Sequence, residues 1–507
     1  MRGVHSAVDN IRRSVFTEVA KLAYEGGDLT SVDTIPYTLV PGEVAHHRHD
    51  VFLERAVVAA RVRLALGMNL DQNHDTRRKP RSAEIKEAYT DQRYFEEPLV
   101  NIIPYACNAC PPKQIRITDS CQGCISHPCM NVCPRDAIYV DENKHCHIDQ
   151  SKCIKCGKCF NQCPYRAISK IERPCAAACG MDAIESDELG RAKINYDKCV
   201  SCGMCLVNCP FGAIADKSQI FQLIHAIKKN DEVVACVAPA FIGQFGKEAT
   251  PAKLKAAMRA LGFVDVVEVA IGADLCTVEE ANDFLKEVPE MQPFMGTSCC
   301  PAWSVMAKKL FPDFKDYISM ALTPMVITAR MVKKDRPNAR IAFIGPCSAK
   351  KLEANRRSVR SDVDFVLTFE ELQGMFDAKD IDFKTIETKP EDEMSEGTGM
   401  GRGFAVGGGV AAAVVEAIKH IDPDREVLVE YGDGLRECRK MLMAAKAGKR
   451  NGYLLEGMAC PGGCVAGAGT IQPVKQTAMS VERFKKEAPE MSCTASPYVD
   501  RLKDVLE

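Results

Sequence analysis

Thr297-Ser298-Cys299-Cys300-Pro301-Ala302-Trp303 is the stretch around which the rest of the chain is organised. Two adjacent cysteines cannot easily bind the same face of one metal site. A disulfide between neighbours would also strain the peptide that joins them. We therefore expect one cysteine of the pair to be a metal ligand and the other to have a different task.

Two later stretches, rich in glycine and proline, supply matching cysteines. They are Gly345-Pro346-Cys347-Ser348-Ala349-Lys350-Lys351-Leu352-Glu353 and Glu456-Gly457-Met458-Ala459-Cys460-Pro461-Gly462-Gly463-Cys464. A [4Fe-4S] cluster needs four thiolates, and the three stretches offer Cys300, Cys347, Cys460 and Cys464. The alternative is four inert core cysteines, but those lie more often in apolar runs than in turns beside polar residues.

Composition supports metal binding. The chain has 26 cysteines in 507 residues, and CxxC clustering in a long chain indicates metal sites rather than disulfides. A formal net charge of -2 gives no argument for nucleic acid or an anionic membrane as partner. The Arg12-Arg13 pair is followed by apolar residues at helical spacing, not by an export core, and no apolar run could span a bilayer. We expect a soluble, cytoplasmic protein.

Two stretches have the spacing CxxCxxCxxxCP, which is typical of bacterial ferredoxins. Their cysteines are Cys153, Cys156, Cys159 and Cys163, then Cys199, Cys202, Cys205 and Cys209. The second stretch follows the first by 46 residues, and the same offset relates Cys129 to Cys175 and Cys133 to Cys179. The repeat predicts two ferredoxin-like units in tandem.

The second unit lacks two ligands. Cys121 and Cys124 of the first unit correspond to Ala167 and Lys170, whereas Cys107 and Cys110 form a spare pair upstream. The fourth cysteine of a ferredoxin motif serves the neighbouring cluster. The predicted ligand sets are therefore Cys121, Cys124, Cys129 with Cys163; Cys133 with Cys153, Cys156, Cys159; Cys179 with Cys199, Cys202, Cys205; and Cys107, Cys110 with Cys175, Cys209. Cys146, in a predicted polar turn, is left without a cluster.

Residues 1–100 contain no cysteine. Apolar residues at helical spacing predict one helix from about Val8 to Leu22 and a second from about Glu43 to Leu66. Three histidines, His46, His47 and His49, are interpreted as the solvated start of the second helix, with a metal patch as the alternative. A basic run at 77–81 is interpreted as a solvated linker that could attract an acidic partner.

From about Asp231 strands alternate with helices, which is typical of an α/β arrangement. A strand that runs into a turn is predicted within 233–240, and further strands at 264–269 and 341–344, the last of which leads directly into the turn of Cys347. Ligands at strand ends are where such folds place their sites. The glycine-rich stretch 401–409 lacks nucleotide-loop spacing, so we expect closely packed backbone beside a cofactor.

The three quoted stretches resemble the signature motifs TSCCPxW, PCxxKxxE and ExMACxxGCxxG of the [FeFe]-hydrogenases, from about Asp231 to the end of the chain. The resemblance implies an α/β catalytic domain with two lobes of sheet flanked by helices around a buried iron-sulfur site. We expect this domain at 221–507, an α+β tandem ferredoxin-like domain at 101–220 and a small helical N-terminal region at 1–100.

The resemblance also implies the cofactor, the H-cluster. In it Cys300, Cys347, Cys460 and Cys464 hold a cubane, and Cys464 bridges to a two-iron unit with CO, cyanide and azadithiolate ligands. Lys350 and Ser298 are expected to contact cyanide, and Met458 the bridging CO. Gly345 stands where many members have methionine, which predicts a looser wall around the two-iron unit.

A proton relay is implied as well. It runs from the non-ligating Cys299 through Glu280 and Ser319 to Asp283, which is one methylene shorter than the glutamate of many members. A water is expected to complete this route. The alternative for the two acids is a solvated helix face.

The activity implied is reversible formation of H2 from two protons and two electrons, which pass through about four accessory [4Fe-4S] clusters. Expected partners are a ferredoxin or similar small carrier and hydrogenase maturation proteins. The alternatives are a sensory hydrogenase with low turnover and a non-catalytic relative that serves iron-sulfur assembly or only transfers electrons.

Overall fold

A computed structural model describes residues 6–26, 29–70 and 87–506, so the basic run at 77–81 lies outside the described residues. The first predicted helix is confirmed as α1 (Ala7–Glu25), which begins at a capping box of Ser6 and Asp9. A short α2 (Ile35–Leu39) follows.

The second predicted helix begins later than expected. It is α3 (Val51–Ala65), because the Asp50 side chain accepts the backbone N–H of Leu53 and so caps the helix there. His46, His47 and His49 are exposed in the bends before this cap, not in a helix. The predicted start near Glu43 is therefore wrong.

The N-terminal helices share an apolar core with the α/β region that begins near residue 221. Val15, Val19 and Val58 lie in one apolar cluster with residues of a buried parallel sheet. A buried ion pair also joins Arg12 of α1 to Glu370. Helix α1 packs mainly on two helices that flank this sheet, Ile220–Lys228 and Phe369–Ala378.

The cysteine-rich segment consists of short antiparallel strand pairs and single helical turns. Its strands pair as β1 with β8, β2 with β5, β3 with β4 and β6 with β7. The elements are β1 (Val100–Ile102), β2 (Gln114–Ile117), α4 (Pro128–Asn131), β3 (Ile138–Val140), β4 (Cys146–Ile148), α5 (Lys158–Gln162), β5 (Ile168–Ile171), α6 (Pro174–Ala177), β6 (Ile184–Ser186), β7 (Ala192–Ile194), α7 (Met204–Val207) and β8 (Ile214–Asp216).

The α/β region contains two parallel sheets. Their strand orders are β10-β9-β12-β13 and β11-β15-β14, and all pairs are parallel. The strands are β9 (Val233–Val237), β10 (Asp265–Glu268), β11 (Phe294–Gly296), β12 (Arg340–Gly345), β13 (Phe365–Thr368), β14 (Leu428–Asp433) and β15 (Tyr453–Met458). Three of them, β9, β10 and β12, confirm the predicted strands.

Helices connect and cover these strands, as the mixed α/β prediction requires. They are α8 (Ile220–Lys228), α9 (Pro251–Leu261), α10 (Ala270–Glu287), α11 (Pro301–Leu310), α12 (Pro324–Asp335), α13 (Ser348–Glu353), α14 (Phe369–Ala378), α15 (Gly399–Gly403), α16 (Gly409–Ile421), α17 (Leu435–Lys446), α18 (Val474–Lys486) and α19 (Leu502–Leu506). None of the helices in the described ranges is both long and apolar enough to cross a bilayer.

Candidate iron-sulfur active site

Three of the predicted thiol ligands directly follow strands. Cys300 comes after β11 and begins α11, Cys347 comes after β12 and begins α13, and Cys460 comes after β15. These three, with Cys464 and the predicted non-ligand Cys299, line one cavity between the two sheets. Parallel strands present their carboxyl ends along one edge, so the fold brings together cysteines that are far apart in sequence.

The three motifs also pack directly on one another. A Cβ atom at Gly457 would overlap the indole of Trp303, and that indole N–H donates to the carbonyl of Thr297 over 3.1 Å. A Cβ at Gly467 would likewise overlap the Pro346 carbonyl oxygen. Glycine at these positions lets the third motif approach the other two closely.

The glycine-rich stretch closes the cavity from another side, and its predicted close packing is confirmed. Gly463 has φ of 88°, and a Cβ there would overlap the backbone N of Gly407. Phe404 and Ala405, from the same glycine-rich stretch, line the cavity.

The predicted loosening at Gly345 is wrong, because the ring of Phe343 fills the space. A Cβ at Gly345 would lie 2.5 Å from that ring, and Phe343 itself lines the cavity. Residues two apart on a strand share a face, so Phe343 supplies apolar wall that residue 345 lacks.

The thiols fit a bound cubane. Burial raises the pKa of Cys347 to about 11 and that of Cys464 to about 12, so free thiolates here would be unfavourable, whereas metal binding requires and stabilises the thiolate. In the described ranges no three His, Cys, Asp or Glu side chains lie close enough to share a single metal ion. A cubane instead takes one thiolate at each of its four irons.

Lys350 provides a cation at the cavity wall. Its Nζ lies 2.7 Å from Glu353 Oε2, and Glu353 Oε1 accepts from the Thr323 hydroxyl over 2.8 Å. Burial alone would lower the pKa of Lys350, but Glu353 outweighs it and the pKa rises, so the side chain stays charged. Glu353 stands in the second motif, but its role was not predicted.

Of two further predicted contact residues, one lines this cavity and the other, Ser298, is the neighbour of the lining residue Cys299. Met458 lines the wall, and the Ser298 hydroxyl is buried without a hydrogen-bond partner among the described residues. A buried polar group without a partner is costly. Met458 therefore fits the implied two-iron unit by its position, and a ligand that reached the Ser298 hydroxyl would satisfy it.

Glu280 on α10 reaches the motif with Cys299. Its Oε1 accepts the backbone N–H of Ser298 over 2.7 Å, and its side chain is 0% exposed. The alternative of a solvated helix face is therefore wrong for Glu280. Burial raises its pKa to about 7, a rise that the Ser298 N–H and the nearby Ser319 hydroxyl oppose.

The outer part of the predicted relay is less closely connected. Asp283 is half-buried one turn further along α10, where burial and then Glu287 raise its pKa. No hydrogen bond joins Ser319 to Asp283 in the described part of the chain. Glu279 was not predicted, yet burial raises its pKa to about 7 and the charge of Asp283 adds to the rise. The sequence feature that could have identified Glu279 is its position next to Glu280.

Two predicted accessory sets each line a small cavity. One cavity is lined by Cys133, Cys153, Cys156 and Cys159, the other by Cys107, Cys110, Cys175 and Cys209. The second arrangement arises because β1 pairs with β8 and folds the chain back across the second unit. The Arg173 guanidinium stabilises this arrangement by donating a hydrogen bond to the Cys110 carbonyl oxygen over 2.8 Å.

The other two sets are also brought together. Proximity to Cys179, Cys199 and Cys202 adds to the burial that raises the pKa of Cys205. Cys202 lines the large cavity with Cys347, so this set adjoins the candidate active site. Of the last set, Cys121, Cys129 and Cys163 lie in one apolar cluster of the first unit, which also contains Cys133, Cys153 and Cys159, and Cys124 lies near Cys129.

Cys146 lies in that cluster as well. It is the first residue of β4 and 3% exposed, with its Sγ 3.8 Å from Cys129 Sγ. The predicted polar turn is therefore wrong, because the turn at 141–145 ends one residue earlier.

Comparison with known proteins gives matches to three family models. Residues 231–468 match the iron-only hydrogenase large subunit, C-terminal domain; residues 147–169 match a 4Fe-4S binding domain; and residues 169–220 match an Fe-S cluster-binding domain.

Individual relatives include hydrogenases and iron-sulfur assembly factors. Iron hydrogenase 1 of Clostridium pasteurianum is 28% identical over 426 residues, which are 73% of this chain and 73% of the relative. The periplasmic [Fe] hydrogenase large subunit of Nitratidesulfovibrio vulgaris is 30% identical over 44% of this chain and 63% of its own length. A probable cytosolic Fe-S cluster assembly factor of Aedes aegypti is 28% identical over 45% of this chain and 58% of its own length.

Among solved structures, the apo form of an [FeFe]-hydrogenase from Chlamydomonas reinhardtii matches with a TM-score of 0.45 at 22% identity. The match covers 54% of this chain and 89% of that one.

Proposed function

We propose that this chain, which belongs to the iron-only or [FeFe]-hydrogenase family, catalyses the reversible reduction of two protons to H2. Family membership supports an iron-sulfur oxidoreductase linked to H2, but assembly factors are among the relatives. The observation that carries the proposal is the cavity that four ligand thiols share with Cys299, Lys350 and Met458.

The residues at this cavity form two groups: those that would bind the cubane and those that would contact the ligands of the two-iron unit. Cys300, Cys347, Cys460 and Cys464 would hold the cubane, with Cys464 shared with the two-iron unit. When bound, the H-cluster supplies the metal centre at which electrons and protons combine. The Lys350 cation and the Ser298 hydroxyl would hold its anionic ligands through hydrogen bonds, which are stronger when one partner is charged.

Protons would enter by way of α10. The Cys299 thiol faces the cavity, and Glu280 lies behind the same motif with a pKa of about 7, near the pH at which it would work. Half-buried Asp283 stands nearer the solvent, and Ser319 would connect the two acids. The chain thus offers a carboxyl that can both accept and release a proton at neutral pH.

Electrons would enter through the accessory thiol sets. Cys202 shares the cavity wall with Cys347, which supports the proposal that one predicted set adjoins the active site. The set of Cys153, Cys156 and Cys159 reaches the surface, since Cys156 is exposed. Four cubanes would then form a route from that surface to the cavity.

The surface around Cys156 suits an acidic carrier. Arg135, Lys155 and Lys158 are exposed there, and Ile154 beside Cys156 is 56% exposed. Opposite charges steer association, and an apolar centre excludes water from the contact. We propose that an acidic ferredoxin or similar small carrier docks on these residues.

The second candidate, an iron-sulfur assembly role, rests on relatives with that name. Such a role needs cluster ligands but gives no reason for a thiol beside them together with a buried acid of neutral pKa. Cys299 and Glu280 therefore favour catalysis over an assembly role. They fit a sensory hydrogenase of low turnover as well as an enzyme of high turnover.

A hydrogen assay of the fully matured protein tests the proposal. With reduced ferredoxin, we expect H2 evolution, and with H2 and an oxidised dye we expect uptake. Cys300→Ala provides the control, because it removes a cluster ligand and should abolish both reactions. Absence of both activities in matured protein of full iron content would contradict the proposal.

A further inference from the structure

The two ferredoxin-like units have different residues, a cysteine and an alanine, at one pair of corresponding positions. With the offset of 46 residues, Cys146 corresponds to Ala192. Both begin the second strand of a short hairpin, in matching registers of Val140 with Cys146 and Ser186 with Ala192. The backbone at these two positions is therefore equivalent.

The equivalence extends to the ligand thiols. The Cys146 N–H donates to Cys121 Sγ over 3.5 Å, and the Ala192 N–H donates to Cys107 Sγ over 3.4 Å. Ala192 lines the cavity of its thiol set. The units thus differ at this place only by the Cys146 thiol, which adds a fifth sulfur to the first unit.

That fifth sulfur is placed as a hydrogen-bond partner. Its distance of 3.8 Å from Cys129 Sγ is that of a weak S–H···S bond, and Cys146 is buried away from water. A cysteine that binds iron is a thiolate and can only accept. In the loaded protein the donor must therefore be Cys146.

We propose that the Cys146 thiol donates a hydrogen bond to the Cys129 thiolate and so raises the reduction potential of the first unit's cluster. This inference rests on the proposed function, because it takes Cys121, Cys124, Cys129 and Cys163 as cubane ligands. Reduction by one electron from the carrier makes the cluster more negative, and a donor to its sulfur stabilises that state. The thiol proton stays on Cys146 throughout.

An EPR-monitored redox titration of the full-length chain, reconstituted with its cubanes, tests the inference. Cys146→Ala should shift the midpoint potential of one accessory cluster downward and leave iron content unchanged. Ala192→Cys should shift a different cluster upward, because it builds the same contact in the second unit. Cys146→Ser should recover part of the lost potential, since a hydroxyl also donates to sulfur.

Cys236→Ala is the matched control, because Cys236 is a buried cysteine on β9, outside every predicted set. It should leave all midpoints unchanged. Unchanged midpoints in Cys146→Ala would overturn the inference alone. A loss of about four irons in that variant would also overturn it, by making Cys146 a ligand of a cubane. Absence of cubane signals from the unaltered chain would overturn the cluster assignment and the inference together.

Discussion

Cys299 and Cys300 are neighbours in sequence with different tasks in the proposed mechanism. Cys299→Ala should leave the cubane intact and lower turnover at least about 100-fold, the scale of a lost proton-transfer group. Hydrogen evolution and iron content, measured on the same preparations, check this. Loss of the cubane in Cys299→Ala, together with its retention in Cys300→Ala, would reverse the assigned roles.

Asp274 is a buried acid outside the proposed relay, hydrogen-bonded to the Thr398 hydroxyl. Burial raises its pKa from 3.8 to about 7. Between these values the native state keeps a proton that the unfolded state releases, so this residue's contribution to stability falls as pH rises through that window.

Asp274→Asn removes this titration. Relative to the unaltered protein, the variant should therefore gain stability from pH 5 to pH 8, by at most about 3 kcal/mol, because about two pKa units of the window lie above pH 5, at about 1.4 kcal/mol per unit. Thermal unfolding of both apo proteins at the two pH values measures the difference. A difference that does not change with pH would contradict the assigned pKa.

At the scale of elements, helix α10 carries the acids of the proposed proton route. Asp283→Asn removes an exchangeable proton with little change in shape, so turnover should fall while the infrared bands of the cofactor stay unchanged. Glu279→Gln is the matched control on the same helix and should slow turnover less. The reverse order of the two rates would place the exit at Glu279.

A strand whose end is marked by glycine and proline was predictable from the sequence. The strand before Cys347 is a buried apolar run that stops at glycine and proline, and it was predicted, whereas the strands before Cys300 and Cys460 were not. Contacts between distant side chains did not follow, because sequence order does not show that Phe343 fills the space beside Gly345.

The start of α3 and the strand β4 were missed for local reasons. Apolar spacing continues upstream of Asp50, but the side chain of Asp50 accepts a backbone N–H and ends that continuation. Cys146 sits between polar histidines, although the 46-residue repeat aligns it with apolar Ala192. The repeat therefore indicated a buried position for Cys146, whereas its polar neighbours indicated a turn.

At the scale of the whole molecule, the first question is how many cubanes the chain carries. A Cys107→Ala/Cys110→Ala double variant should lose about four of about 22 irons, because the fold places this pair beside Cys175 and Cys209. The cofactor's infrared bands should remain. Unchanged iron content would mean that the pair is not a ligand set and that the total is about 18.

The electron-entry surface makes a second prediction at this scale. Lys155→Glu/Lys158→Glu should slow ferredoxin-driven H2 evolution, most strongly at low salt, and leave dye-driven evolution unchanged, since surface charges act on association. Lys419→Glu/Lys446→Glu, on exposed residues of α16 and α17, is the control. Equal slowing by both pairs would contradict docking beside Cys156.

The central claim is that the cavity of Cys300, Cys347, Cys460 and Cys464 holds a hydrogenase cofactor. The infrared spectrum of the matured protein tests it most directly, because CO and cyanide stretching bands lie in a region without protein absorption. We predict bands of both ligands, and Cys464→Ala should remove them. A protein matured to full iron content that shows neither band would contradict the claim.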